Sequence, residues 1–221
     1  KEFSEIKELS SELRNNLTGN LSIGVIPSAL LDISELLSQF VSKYRNINIQ
    51  VFSMSSNKIE ENLHDFKLDI GFTYLENEPL MSVEKLPLYK EKYFLVTNKK
   101  SYQSQTSIPW SECHGIDLCL ISPENQFRRI LNSIFLKKNI SPNVLIESNS
   151  LIHLFSHVSS SSLSTIMPGS FAKQFNFNNE ISFLELTSPS IFHHVGGVYI
   201  KDKGPSPIKD RFIKYLNSID K

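Results

Sequence analysis

The stretch GNLSIGVIPSALLDISELLSQFVSKYRNINIQVF, residues 19–52, decides the fold. Leu21–Ile26 is a short apolar run rich in β-branched residues, a strand pattern that Pro27-Ser28 breaks. From residue 29 to 44, Leu30, Ile33, Leu37, Phe40, Val41 and Tyr44 recur at helical spacing. Ile47, Ile49 and Val51 then alternate, which predicts a second strand. Strand, helix and strand in that order make a crossover unit.

The alternation continues outward. Ser55-Ser56-Asn57 is placed to cap a helix bearing Ile59, Leu63 and Phe66, with Glu60 three residues after Asn57 in a capping-box arrangement. Leu68–Tyr74 follows as a strand. The order βαβαβ predicts a mostly parallel sheet with right-handed crossovers. Residues 75–87, with Pro79 and Pro87, read as loop, Leu88–Thr97 as a long strand, and Lys99–Pro109 as polar chain. A second α/β set follows. Ser107–Glu112 begins like a short helix with Pro109 near its first turn. Strands are predicted at Leu118–Ile121, Val144–Glu147, Leu163–Met167, Ile181–Leu186 and Val195–Ile200. Helices carry Phe127, Ile130, Leu131, Ile134 and Phe135, then Leu151, Leu154, Phe155 and Val158, and finally span Pro205–Ile219. Ahead of all this, Phe3, Ile6, Leu9, Leu13 and Leu17 form a narrow helical stripe. Such a helix is marginal alone and is expected to pack on another chain or continue a segment upstream; a surface helix of the same domain is the alternative. The chain does not start with Met, which reads as a truncated protein.

Composition limits the function. The 221 residues are 40% hydrophobic and 21% charged, enough for one large domain or two small lobes with real cores. Lys plus Arg and Asp plus Glu both number 23, so there is no overall pull toward nucleic acid or anionic membrane. No apolar run approaches the roughly 20 residues of a bilayer span, and the charged start lacks a signal-peptide core. With only Cys113 and Cys119 there is no disulfide scaffold, and the expected location is the cytoplasm.

Several segments resemble one family. Gly19-Asn-Leu-Ser-Ile-Gly24, Pro27 and the helix end Phe40-Val-Ser-Lys-Tyr44 look like the opening of the effector-binding domain of LysR-type transcriptional regulators. Leu63-His-Asp-Phe-Lys-Leu-Asp-Ile-Gly71 is similar to its second helix and third strand, and Pro87-Leu-Tyr-Lys-Glu-Lys-Tyr-Phe-Leu-Val96 to its crossover strand. Ile121–Leu131, Glu147-Ser-Asn-Ser150 and Ile166-Met-Pro168 fall where its second lobe places them. The resemblance runs from about residue 19 to the end. It implies an α/β fold of two Rossmann-like lobes with mixed sheets, like type 2 periplasmic binding proteins. Lobe one would be 19–97 with 188–221, lobe two 98–187, and residues 1–18 the end of a linker helix. It implies a small-molecule effector, a homodimer or homotetramer pairing helices near 29–43 and 127–138, and DNA contact only through a preceding winged helix-turn-helix of about 60 residues. One departure is Val158-Ser-Ser-Ser-Ser-Leu163, where the family commonly has a glycine-rich turn; serine tolerates positive φ less well.

The physical expectation agrees. Loops after strand C-termini gather at one edge of an open α/β sheet, and helix N-termini there favour carboxylate or phosphate. The candidate loops hold Pro27, Ser28, Ser55, Ser56, Thr73, Tyr74, Ser122, Asn125, Phe127, Ser148, Asn149, Ser150 and Pro168. Ser28, Ser55, Thr73 and Ser150 are the expected hydrogen-bond donors, Tyr74 and Phe127 the apolar walls. Each serine could equally be a helix cap that meets no ligand, and Phe127 could be core. No cofactor is implied. His153 and His157, four apart, have the spacing of a metal pair, but no Cys or acidic partner completes a signature; exposed or hydrogen-bonded histidines are the simpler reading. Cys119 lies in an apolar strand, where a thiol is usually inert. Arg128-Arg129 reads as a solvated helix face. No catalytic motif is present, so a binding protein is expected rather than an enzyme, with a solute-binding transport protein and a transferase or hydrolase as rivals.

Overall fold

The computed structural model describes residues 17–175, 180–201 and 206–219. The stripe of residues 1–17 therefore lies, except for Leu17, outside the described residues. Strand β1 (Gly19–Val25) runs parallel between β2 (Ile47–Ser53) and β3 (Ile70–Tyr74). A 3-10 turn at Pro27–Ala29 and helix α1 (Leu30–Lys43) make the first crossover; α2 (Ser56–His64) makes the second. Pro27 starts the turn, where its missing N–H costs nothing. Helix α1 buries Ile33, Leu37 and Phe40, the periodic stripe. Helix α2 lies close on β3 because Gly71 has no side chain: a Cβ there would sit 2.2 Å from Ile59 Cγ2.

Beyond β3 the sheet is antiparallel up to its final pair, which is parallel. Its order is β2-β1-β3-β10-β4-β9-β5, with β4 at Glu84–Thr97, β5 at Ser107–Pro109, β9 at Ser182–Thr187 and β10 at Phe192–Tyr199. The parallel arrangement expected of the first three strands holds there, and the sheet as a whole is mixed. Strand β4 joins two halves: Glu84–Lys92 pairs with β10, and Phe94–Thr97 with β9 and, over Tyr93–Val96, β8 (Thr165–Pro168). The second half also holds the parallel pair β6 (Asp117–Ile121) and β7 (Asn143–Ser148), tied to the β8 side by a Leu118–Ser164 bridge. Helices α3 (Gln126–Lys137), α4 (Leu151–Ser160) and α5 (Gly169–Phe175) surround these strands; α6 (Pro207–Asn217) returns to the first half. There Phe212 meets Phe40 at 4.8 Å and Phe72 at 6.2 Å, while in the second core Tyr93 stacks on Phe127 at 5.6 Å.

Local predictions fail where tertiary contacts compete. Strand β4 begins at Glu84, four residues before the sequence pattern, and passes through Pro87. Pro87 faces Gly196, where β10 shifts register, so a residue without an N–H is accommodated at a bulge. The capping box does not form: Ser55 is the N-cap residue, and Glu60 instead accepts from the Met81 N–H at 2.7 Å. Phe66 lies past the end of α2, at φ 58° and 58% exposed. Residues 107–109 form a strand, with a 3-10 turn only at Trp110–Cys113. Helix α5, with seven residues, is too short for its period to show. The serine run turns without any positive φ: Ser161 Oγ donates to His157 O at 2.7 Å and accepts from Leu163 N at 3.2 Å. No helix among the described residues is long and apolar enough to cross a membrane.

Candidate functional site

The 3-10 turn after β1 faces the loop before α3 across the junction of the two halves. Pro27, Ser28 and Ser55 line one wall of the gap between them; Asn125, Gln126 and Phe127 line the other. The gap is too narrow to admit a water. Beside it, Pro27, Asn149, Ser150 and Phe171 border a hollow of about 200 Å³. Seven of the predicted residues are thus brought together. Ser28 is 1% exposed, and its Oγ lies beside the Tyr74 hydroxyl. Ser55 and Asn125 begin α2 and α3 without making a side-chain cap, whereas Ser150 accepts from the His153 N–H at 3.3 Å as a true cap.

The gap is held shut by polar ties. Thr73 Oγ1 donates to Gln126 Oε1 at 2.8 Å, and Gln126 Nε2 reaches Glu76 O at 3.5 Å. Arg129 crosses from α3 and makes a two-point contact with the Glu78 carboxylate at 2.5 and 2.9 Å. It also donates to Ser56 Oγ at 3.0 Å, and Ser56 donates to Glu78 at 3.1 Å. Ser56 is therefore part of this tie. Nor is Arg128 a solvated helix face: its guanidinium is buried, paired with Glu147 at 2.6 Å and donating to Ile121 O at 3.0 Å.

Four predicted residues lie off the gap. Tyr74 is no apolar wall, since its hydroxyl donates to Glu91 Oε1. Ser122 donates to Glu124, Ser148 pairs with the His153 ring at 2.9 Å, and Pro168 is buried in β8 opposite Tyr93. Phe127 both lines the gap and belongs to the core. Sequence reasoning missed Gln126, Glu78 and Glu91 as groups of this region. Gln126 and Arg129 stand three apart on α3 and so share a face, a signal that was available.

Burial, and then the neighbouring Glu91 charge, pushes the Tyr74 hydroxyl well above its ordinary range. Burial, with a smaller contribution from Asp32, pushes the Glu91 carboxyl well above its own, against the pull of the Tyr74 hydrogen bond. His153 and His157 stack edge to face at 4.6 Å. Among the described residues no group of three or more His, Cys, Asp or Glu could hold a metal. Cys113 and Cys119 are free and buried; burial and then Glu112 push the Cys113 thiol up to about 12.

Residues 14–219 match the family model of the LysR substrate binding domain. The chain is 24% identical over 220 residues to the HTH-type transcriptional regulator YybE of Bacillus subtilis (strain 168), covering 99% of this chain and 74% of that protein. It is similar in structure to the effector binding domain of QuiR in complex with shikimate, with a TM-score of 0.75 at 22% identity over 90% of this chain and 96% of that one. It is also similar to the Synechocystis PCC6803 CcmR regulatory domain in complex with 2-PG, with a TM-score of 0.80 at 16% identity over the same shares, 90% and 96%. These structures share its mixed α/β fold, of the periplasmic-binding-protein type. A family match over nearly the whole chain decides the assignment: this chain belongs to the LysR substrate-binding domain family of transcriptional regulators.

Proposed function

We propose that the chain is the ligand-sensing part of a cytoplasmic LysR-type regulator and binds a small anion in the cleft between two lobes, 19–97 with 188–221 and 98–187. Ser28 carries this reading. Its hydroxyl is buried at the cleft, with the Tyr74 hydroxyl beside it, between the openings of α2 and α3, which lack side-chain caps. Free first-turn N–H groups and a hydroxyl donor suit a carboxylate or phosphate. Thr73, Ser55, Asn125, Asn149 and Ser150 border the same space or its closing tie. The shikimate and 2-PG of the QuiR and CcmR structures support a small-molecule ligand. The cleft residues bind rather than perform acid–base chemistry, so the domain is a sensor and not an enzyme.

Because the gap is closed, a ligand enters only when the lobes part, and it acts by favouring one arrangement over the other. In this reading the signal passes to a winged helix-turn-helix through a homodimer that pairs α1 with α3 of a second copy. Val41 on α1 and Leu136 on α3, 38% and 80% exposed, supply apolar surface for that contact. Light scattering at micromolar concentration should give a dimer, and Leu136→Glu a monomer; a monomeric parent chain would remove this part of the reading.

Thermal melting with shikimate, benzoate, 2-PG and inorganic phosphate tests the cleft. At least one should raise the melting temperature by mass action. Ser28→Ala should weaken that ligand about tenfold, the worth of one hydrogen bond to a charged group. If no acid stabilises the protein, or if Ser28→Ala leaves the response unchanged, the assignment of an anion to this cleft is wrong.

A further inference from the structure

A separate hollow of about 260 Å³ lies farther along α3, between that helix and the start of β10. One wall comes from the second half of the molecule: Ser133 and Lys137 on α3, with Lys138 just past its end. The other comes from the first half: Asn77 after β3, and His193 on β10. Ile134 and Ile191 supply apolar lining. The volume falls below the range of about 300–1,000 Å³ typical of larger small-molecule sites, so it suits an ion or a very small molecule. Among the described residues no carboxylate lines it, and the side chains of Asn77, Ser133, Lys137 and Lys138 have no hydrogen-bond or ion-pair partner. Leu136, offered above for the dimer contact, is not part of the lining.

His193 adds a directed donor. Tyr93 is fully buried, and its hydroxyl meets His193 Nδ1. A buried hydroxyl has to place its proton, and this ring nitrogen is the acceptor in reach. Tyr93 therefore donates, which puts the ring hydrogen on Nε2 and leaves that N–H for the hollow the ring lines. Burial holds the His193 imidazole below its ordinary range; the Glu76 charge opposes this, and Lys137 and His194 add to it. Glu76 is itself taken up by His194, whose backbone N–H it accepts at 2.8 Å and whose ring it pairs with. Two lysines, a ring N–H and two neutral side chains, set against apolar walls that focus their field, match an anion of charge two. We infer that this hollow is a second ligand site, taking a small dianionic oxyanion held by Lys137, Lys138 and the His193 Nε2–H. An anion there bridges the two halves, as the Arg129–Glu78 pair does. The site is linked to the cleft through Tyr93, which holds His193 by its hydroxyl and stacks on Phe127. The inference does not depend on what the cleft binds.

The test is proton NMR of the six histidines of the 221-residue chain, titrated with pH in sodium chloride, sodium acetate or sodium sulfate at equal ionic strength. Over the histidine range sulfate carries two charges and acetate one. The His193 signal is identified by its loss in His193→Gln or, if that variant does not fold, by its contacts with the Tyr93 ring. A bound dianion favours the charged ring, so sulfate alone should raise the His193 pKa, by about one unit, which is a tenfold preference for the protonated form. His64, His114, His153 and His157 should titrate alike in all three salts. The rise should disappear when Lys137→Gln and Lys138→Gln are combined, return when Lys137→Arg and Lys138→Arg are combined, and persist in Ser28→Ala, a substitution confined to the cleft. An equal rise in acetate, a rise shared by every histidine, a rise that survives the glutamine pair, or no rise in the parent chain would each overturn the inference, the last meaning that the lysines only complement the negative end of α3. A rise lost in Ser28→Ala would also overturn it, since the anion would then sit in the cleft. An acid that stabilises the parent but not Ser28→Ala would leave the cleft reading standing in every case.

Discussion

Glu91 sits in a setting at odds with its ordinary chemistry. A carboxyl 3% exposed with no cation beside it prefers to hold its proton, and burial is the main cause. Its folded pKa is raised above the ordinary 4.5, so the folded state binds more protons than the unfolded chain above that pH. Stability from this group is therefore complete below about pH 4.5 and lost as pH rises toward the folded value. Glu91→Gln should be more stable than the parent at neutral pH, with the difference shrinking to nothing on acidification. Urea unfolding at pH 7 and pH 4 measures it, and a variant less stable at both would refute the argument. Cys113 is a simpler case. With its thiol pushed up to about 12, the thiolate is about one part in ten thousand at pH 8. Together with the buried Cys119, it should resist thiol-specific reagents and peroxide until the protein is unfolded, as mass spectrometry of labelled native and denatured samples would show.

At the scale of elements, the bulge between β4 and β10 holds the junction. Gly196 brings its backbone against β4 so closely that a Cβ would lie 2.3 Å from Leu86 O. A backbone carbonyl inside a sheet cannot move aside as a side-chain methyl can. Gly196→Ala should cost about 3 kcal/mol, toward the upper end of overpacking penalties, and denaturant unfolding should read it as a lower midpoint. Gly197 next to it has only ordinary contacts, the nearest at 3.4 Å, so Gly197→Ala is the matched control and should cost much less. The same bulge explains why Pro87 can sit within a strand, a placement that its sequence context argued against.

For the whole molecule, if the halves part as proposed, the Arg129–Glu78–Ser56 tie sets how readily they do so. Its ion pair is partly exposed, 32% and 24% for the two side chains, so its worth is that of a surface bridge, about 1 kcal/mol at most. A coupling that small changes the balance of open and closed forms severalfold without unfolding either. Arg129→Met should lower the unfolding free energy by less than about 1 kcal/mol and increase the radius of gyration measured by X-ray scattering. An unchanged scattering profile would mean that Thr73 and Gln126 suffice to hold the gap.

The alternation of strands and helices was legible because each element buries one face, and burial writes its period into the chain. The same physics located the turns after β1 and before α2, α3 and α4, so that Pro27, Ser28, Ser55, Asn125, Phe127, Asn149 and Ser150 meet as a group. Family membership was also readable from ordered segments of local sequence. What only the tertiary structure decided involves partners distant along the chain. Tyr74 meets Glu91 through strands paired out of sequence order, Arg129 finds Glu78 across the gap, and Asp32, Glu91 and Ser170 arrive at one pocket from three elements. No periodicity records such meetings, because they depend on sheet order and on the placement of each helix rather than on the spacing of residues within it.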